Sequence, residues 1–200
     1  MIAVIDYGLG NLRSVQKALE AVGGATIITS RKEDIINARQ IVLPGVGAVR
    51  PAMARLKELD LIDVIRTQAV SGKPFLGICL GFQLLFESST EGGMVDALGI
   101  LPGVVERFPE NVQVPQIGWN SAHIVQAGCP LFKGIEDNAF FYFCHSYYVR
   151  PGKEAMTASV TEHGIEYTSA ICHKNIWGVQ FHPEKSQALG LGILRNFVLC

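Results

Sequence analysis

Cysteine, histidine and glutamate suffice to build a thiol hydrolase, and this chain carries them in that order at Cys79, His182 and Glu184. Cys79 sits in Gly77-Ile78-Cys79-Leu80-Gly81, with glycine two positions to either side. The apolar run Pro74 to Ile78 reads as a short buried strand, and Leu80 to Ser88 as a helix with Leu80, Leu84 and Leu85 on one face. A nucleophile at such a strand-to-helix turn is the elbow of many hydrolases, here with sulfur in place of a serine hydroxyl. The glycines let the turn close without Cβ clashes. A helix start behind a thiol favours the nucleophilic thiolate, and the Leu80 amide N–H is expected to face any oxyanion that forms. Downstream, Phe181-His182-Pro183-Glu184 sets a histidine and a carboxylate two residues apart, on one side of an extended chain. Glu184 can then hold one ring nitrogen while the other faces the thiol, giving nucleophile, base and orienter.

Only the three residues together point to chemistry, because a lone buried cysteine is by default a small hydrophobe. The rival pair Cys144-His145 is adjacent in sequence, and neighbours on a strand point to opposite faces. Cys144 therefore reads as core, and His123, His145, His163 and His173 read mostly as hydrogen-bonded surface histidines. Gly8-Leu9-Gly10 falls short of a dinucleotide fingerprint, since Arg13 stands where the third glycine belongs. The aromatic stretch Phe140 to Tyr148 reads as core and pocket wall rather than a nucleic-acid platform.

These groups must be positioned by a scaffold, and 200 residues with 48% hydrophobic content suit one domain, 1–200, with a sizeable core. Seventeen basic against 18 acidic residues argue against nucleic-acid or anionic-membrane binding. Met1 to Asp6 lacks the pattern of a signal peptide, and five scattered cysteines without a Cys-x-x-Cys argue against a disulfide framework or zinc site. The expectation is a soluble, cytoplasmic protein without metal or organic cofactor.

The first half alternates strand and helix signals: Ile2 to Ile5, a helix marked by Leu12, Val15, Leu19 and Val22, then Thr26 to Thr29. A short helix with Ser30 and Glu33 as capping box follows, then Gln40 to Leu43, and helical material marked by Met53, Leu56, Ile62 and Ile65 with a break near Leu59-Asp60. This predicts an α/β fold, a mostly parallel central sheet flanked by helices. The second half adds antiparallel strands at Val104–Phe108, Ala139–Val149, Thr157–Val160, Ser169–Cys172 and Trp177–Phe181, with a turn at Lys174-Asn175. A last helix spans Gln187 to Val198, with Leu189, Ile193, Leu194 and Phe197 inward.

Gly77 to Phe86 together with Phe181-His182-Pro183-Glu184 resembles the triad (class I) glutamine amidotransferases, whose sheet is flavodoxin-like. Asp6 to Asn11, Pro44-Gly45-Val46-Gly47, Gly118-Trp119-Asn120 and Phe141 to Tyr148 are similar to one branch of that family, the glutaminase subunits of imidazole glycerol phosphate synthases in histidine biosynthesis. The resemblance spans nearly the whole chain. It implies that Cys79 attacks the glutamine side-chain amide, that His182 and Glu184 serve the proton transfers, and that a thioester is hydrolysed to glutamate. It implies an oxyanion site and switch at Gly45, Val46, Gly47 and Leu80, misdirected until a partner binds its ligand. Gly47, Leu80, Gln83, Glu91, His145, Ser146 and Tyr147 would bind glutamine. Asn11, Trp119 and Lys185 would meet a (β/α)8-barrel cyclase in a heterodimer that receives the ammonia through a channel. Phe82 stands where the family usually has methionine, and Gln116-Ile117 where histidine and methionine are usual. A glutaminase serving pyridoxal phosphate synthesis would carry Gly-Gly-Glu-Ser in the pocket loop instead of Pro44 to Gly47. Deglycase-like enzymes lack the His-Pro-Glu run, and a non-catalytic scaffold would have no use for all three triad residues.

Overall fold

The computed structural model describes residues 1–200. Its first half runs β1 (Ile2–Ile5), α1 (Leu12–Ala21), β2 (Thr26–Thr29), α2 (Lys32–Asn37), β3 (Gln40–Leu43), α3 (Val49–Glu58), α4 (Ile62–Val70) and β4 (Phe75–Ile78). Strands β1, β3 and β4 are buried at every position, as continuous apolar runs require in a sheet covered on both faces. Along β1 the side chains divide between two cores: Ala3 and Ile5 enter one, Ile2 and Val4 the other. The break between α3 and α4 falls at Asp60, which takes a left-handed φ of 54°. The Ser30–Glu33 capping box does not form. Arg31 occupies the cap position of α2, while Thr29 Oγ1 accepts the Arg31 N–H and donates to Asp34.

The expected long helix after Cys79 is a single turn, α5 (Leu80–Gln83). It stops because the next carbonyls are taken from outside: Leu84 accepts from the Leu98 N–H, Leu85 from Ile100 and Leu101, and Phe86 from Gly99. The chain continues as β5 (Ser88–Ser89), β6 (Val95–Asp96), β7 (Gly103–Arg107), β8 (Gln116–Ile124), β9 (Ala139–His145), β10 (Tyr147–Pro151), β11 (Thr157–Glu162), β12 (Glu166–His173), β13 (Ile176–Val179) and α6 (Gln187–Val198). Ala139 to Val149 is thus two strands, parted at Ser146. Strand β8 has no counterpart in the sequence reading, because its large apolar residues Ile117 and Trp119 face outward. In α6, Ile193, Leu194 and Phe197 are buried as expected, whereas Leu189 is exposed.

The strand order is β2-β1-β3-β4-β13-β12-β10-β7-β5-β6, with β8, β9 and β11 attached alongside. It is parallel from β2 to β13 and mainly antiparallel beyond, an α/β sheet flanked by helices with an antiparallel extension. The consequential neighbour is the late strand β13, which pairs parallel with β4 and aligns Ile78 with Val179. That register sets the residues following each strand side by side. The loops after β1, β3, β4 and β13 open on one edge of the sheet, where doubly wound folds hold their ligands.

Candidate active site

Cys79 follows β4 with φ 52° and ψ −108°, a strained conformation for a residue with a side chain. Its N–H donates to the Val179 carbonyl at 2.8 Å, which ties the elbow to β13. The flanking glycines are demanded by packing as much as by the turn. A Cβ on Gly81 would stand 1.7 Å from the Leu43 carbonyl oxygen, and one on Gly77 would meet Gly81 and Phe82 backbone atoms at 2.8 Å.

His182 lies just beyond β13, anchored by its N–H on the Tyr142 carbonyl at 2.9 Å. Its ring is buried, 3% exposed, with Nδ1 on the Glu184 carboxylate Oε1 at 2.8 Å. The two residues meet through a tight 3-10 turn at Pro183–Lys185 rather than along an extended strand. Burial opposes a charge on this imidazole, but the Cys79 sulfur and the Glu184 carboxylate outweigh it, and the pKa is pushed up to about 10. The imidazole is therefore held protonated at neutral pH, with a proton ready for a leaving group.

Cys79 and His182 open on a cavity of about 290 Å³, and Glu184 lies behind them. All seven residues expected to bind glutamine (Gly47, Leu80, Gln83, Glu91, His145, Ser146 and Tyr147) line it, with Val46, Pro115, Cys144 and Lys185. Cys144 is exposed on this wall, not core. His145 is the buried member of that pair: its Nδ1 donates to the Tyr147 carbonyl at 2.8 Å and Nε2 lies 3.2 Å from the Tyr167 hydroxyl. Burial holds its pKa down at about 4, so it stays neutral. Glu91 accepts the Val49 N–H at 2.9 Å, fixing the start of α3 beside the pocket.

The Pro44–Gly47 segment crosses above the elbow. The Tyr7 hydroxyl donates to the Pro44 carbonyl at 2.8 Å, and the Gly45 carbonyl accepts the Leu80 N–H at 3.4 Å. The N–H expected to serve an oxyanion is thus capped by Gly45. Gly47 has φ +99° and Val46 is exposed, so the next peptides are free of packing.

Next to the cavity mouth, Trp119 (47% exposed), Ile117 (62%) and Phe140 (55%) form an apolar patch on β8 and β9. Trp119 sits opposite Tyr142 in register, and the Lys185 ammonium lies 5.6 Å from the Tyr142 ring centroid. Lys185 belongs to both patch and cavity wall. Asn11 is exposed at the start of α1, and the preceding Gly10 packs on Gly45, a Cβ there lying 3.4 Å from the Gly45 Cα. A larger cleft of about 440 Å³ lies elsewhere, between Met1, Gly24, Arg39 and Cys200, and contains no histidine.

Tyr7, Tyr167 and Gln180 also stand at the site, and the sequence singles out none of them. Nothing in their types marks them; only the strand register brings them to the site.

The model of the family "Glutamine amidotransferase class-I" matches residues 3–200. The imidazole glycerol phosphate synthase subunit HisH of Moorella thermoacetica is 49% identical over 196 residues, covering 98% of this chain and 93% of its own length. The HisH subunit of Nitrosococcus oceani is 50% identical, covering 98% and 96%. Among solved structures, a glutamine amidotransferase superimposes with TM-score 0.75 at 19% identity over 96% of this chain and 95% of its own. PurLQS from Thermotoga maritima gives 0.74 at 17% identity over 99% and 97%, a likeness of fold alone. The chain belongs to the class-I glutamine amidotransferase family.

Proposed function

We propose that this chain is the glutaminase subunit of an imidazole glycerol phosphate synthase, a single cytoplasmic domain that releases ammonia from glutamine for a partner cyclase. The observation that carries the chemistry is the Cys79–His182–Glu184 constellation on one cavity large enough for an amino acid. The near-full-length identity of about half the residues to HisH subunits carries the pathway.

The thiolate of Cys79 attacks the side-chain amide carbon of glutamine. As the tetrahedral intermediate collapses, the C–N bond breaks and His182 gives its proton to the departing nitrogen, which leaves as ammonia. Neutral His182 then takes a proton from water, the hydroxide adds to the thioester, and the C–S bond breaks. Glutamate leaves and the thiolate–imidazolium pair is restored. Glu184 holds the ring by Nδ1 throughout, so that Nε2 serves the sulfur and the water. Both tetrahedral intermediates carry an oxyanion. The Leu80 N–H is the nearest donor, and the Gly45 carbonyl now sits on it. Rotation of the Gly45–Val46 peptide would withdraw that carbonyl and bring the Val46 N–H in, giving two donors. This chain alone is therefore a slow glutaminase.

The exposed Trp119, Ile117 and Phe140, beside Lys185 and near the exposed Val46, supply an apolar docking surface at the cavity mouth. A (β/α)8-barrel cyclase docked there, with Asn11, Trp119 and Lys185 in the interface, would seal the cavity and receive ammonia before water protonates it. The test is glutamate release by the chain alone and with the cyclase and its nucleotide ligand. Strong stimulation by the liganded partner is the expected result. Activity indifferent to the partner would point to a different amidotransferase, and silence in both conditions would remove the function.

A further inference from the structure

We propose that Gln180 is a fourth polar group of the catalytic centre, whose amide N–H holds the Cys79 sulfur from its buried side and steadies the thiolate. The inference rests on the thiol-hydrolase reading above. Gln180 is fully buried, directly follows β13 and, through the pairing of Ile78 with Val179, stands beside Cys79. Its backbone N–H is spent on the Ser169 carbonyl at 2.8 Å. Its Nε2 lies 3.7 Å from Cys79 Sγ, an ordinary length for an N–H···S contact. It does not line the cavity, so its side chain is not there for glutamine.

The direction of the amide is dictated by its neighbours. A backbone carbonyl only accepts, so the Gln83 group 2.9 Å from the Tyr147 oxygen has to be the nitrogen. The second hydrogen of that nitrogen goes to Gln180 at 3.1 Å, and what receives it has to be an oxygen. With Oε1 committed to Gln83, the Nε2 of Gln180 faces the sulfur. A buried amide costs several kcal/mol unless both ends are partnered, and here one partner is the nucleophile itself. A neutral thiol accepts weakly, whereas a thiolate makes a charge-assisted bond, so the contact favours the ionised form. His182 reaches the sulfur from the cavity side, and Gln180 fixes it from beneath.

The test is the rate of alkylation of Cys79 by iodoacetamide as a function of pH, followed by peptide mapping, together with the pH profile of kcat/KM in the complex with the cyclase. Substitution Gln180→Leu is expected to move the alkylation midpoint and the acid limb of kcat/KM upward by about one pH unit. Gln180→Glu keeps the shape, sets a carboxylate against the sulfur and is expected to move both further. It decides the matter if the leucine variant does not fold by circular dichroism. A merely structural role would lower the melting temperature and leave both profiles where they were, which would overturn the proposal. Should wild-type Cys79 react no faster at neutral pH than the exposed Cys144 and Cys200, the thiolate reading itself fails and this proposal with it. A reactive wild-type Cys79 with unshifted Gln180 variants would sink this proposal alone.

Discussion

At the residue scale, the chemistry was legible because it needs specific atoms. Only a few side chains act as nucleophile, base and orienter, and Cys79, His182 and Glu184 announce themselves by type and by the glycines and proline beside them. What supports them was not legible. Gln180 is an unremarkable residue at a strand end until Ile78 and Val179 are known to pair, and Tyr7 is one more buried aromatic until its hydroxyl is found on Pro44. His145 is hydrogen-bonded as expected but not at the surface, and nothing local shows that its ring is enclosed by Tyr167 and the Tyr147 carbonyl. Replacing Cys79 by alanine removes the only group that can form the thioester while leaving a small apolar side chain against the core. Glutaminase turnover in the partner complex is expected to fall by at least about 10³-fold, with circular dichroism and cyclase affinity unchanged. Turnover retained above a tenth of wild type would remove Cys79 from its role.

Elements were legible where burial was two-sided. β1, β3 and β4 are short, largely apolar runs that stop before Asp6, Pro44 and Cys79, and their bounds follow closely. β8 was not, because its apolar residues are outward and mark a surface to be covered rather than a core. The turn after Cys79 was over-read as a long helix, since leucines at helical spacing also suit a one-turn helix whose carbonyls are claimed by residues 98–101. The elbow is held at one point of contact above all, where Gly81 passes the Leu43 carbonyl oxygen. Gly81→Ala would set a Cβ 1.7 Å from that backbone oxygen, with no side chain there to yield. Relief requires β3 and α5 to separate, which would cost about 2–4 kcal/mol of stability and move the sulfur from His182. A lowered urea midpoint together with lost glutaminase activity is expected. An alanine variant with wild-type stability would mean that the close approach of β3 to the elbow is absent in solution.

The whole molecule joins two histidines of opposite habit to one fold, and its stability should depend on pH accordingly. His145 titrates at 6.5 in an ordinary setting and at about 4 here, because burial disfavours its charge. The unfolded chain takes up that proton first, so the contribution of His145 is complete above 6.5 and is lost as pH falls toward 4. His182 moves the other way. Burial alone would depress it, yet Cys79 and Glu184 raise it from 6.5 to about 10, so its contribution is complete below 6.5 and is lost as pH climbs through 10. Cys172, pulled down to about 7 by its bond to Cys129 against the penalty of burial, acts in the opposite sense over part of that alkaline range. The comparison that isolates the site is therefore variant against parent. Cys79→Ala removes one of the two groups that hold the His182 proton and leaves Cys172 untouched. Urea midpoints measured from pH 6.5 to 10 should decline less steeply for this variant than for wild type, while from 6.5 down to 4 the two should run parallel. Parallel curves on the alkaline side as well would mean that the sulfur carries no charge beside His182. The chemistry would then have to begin from a neutral thiol, with His182 taking the proton during the attack.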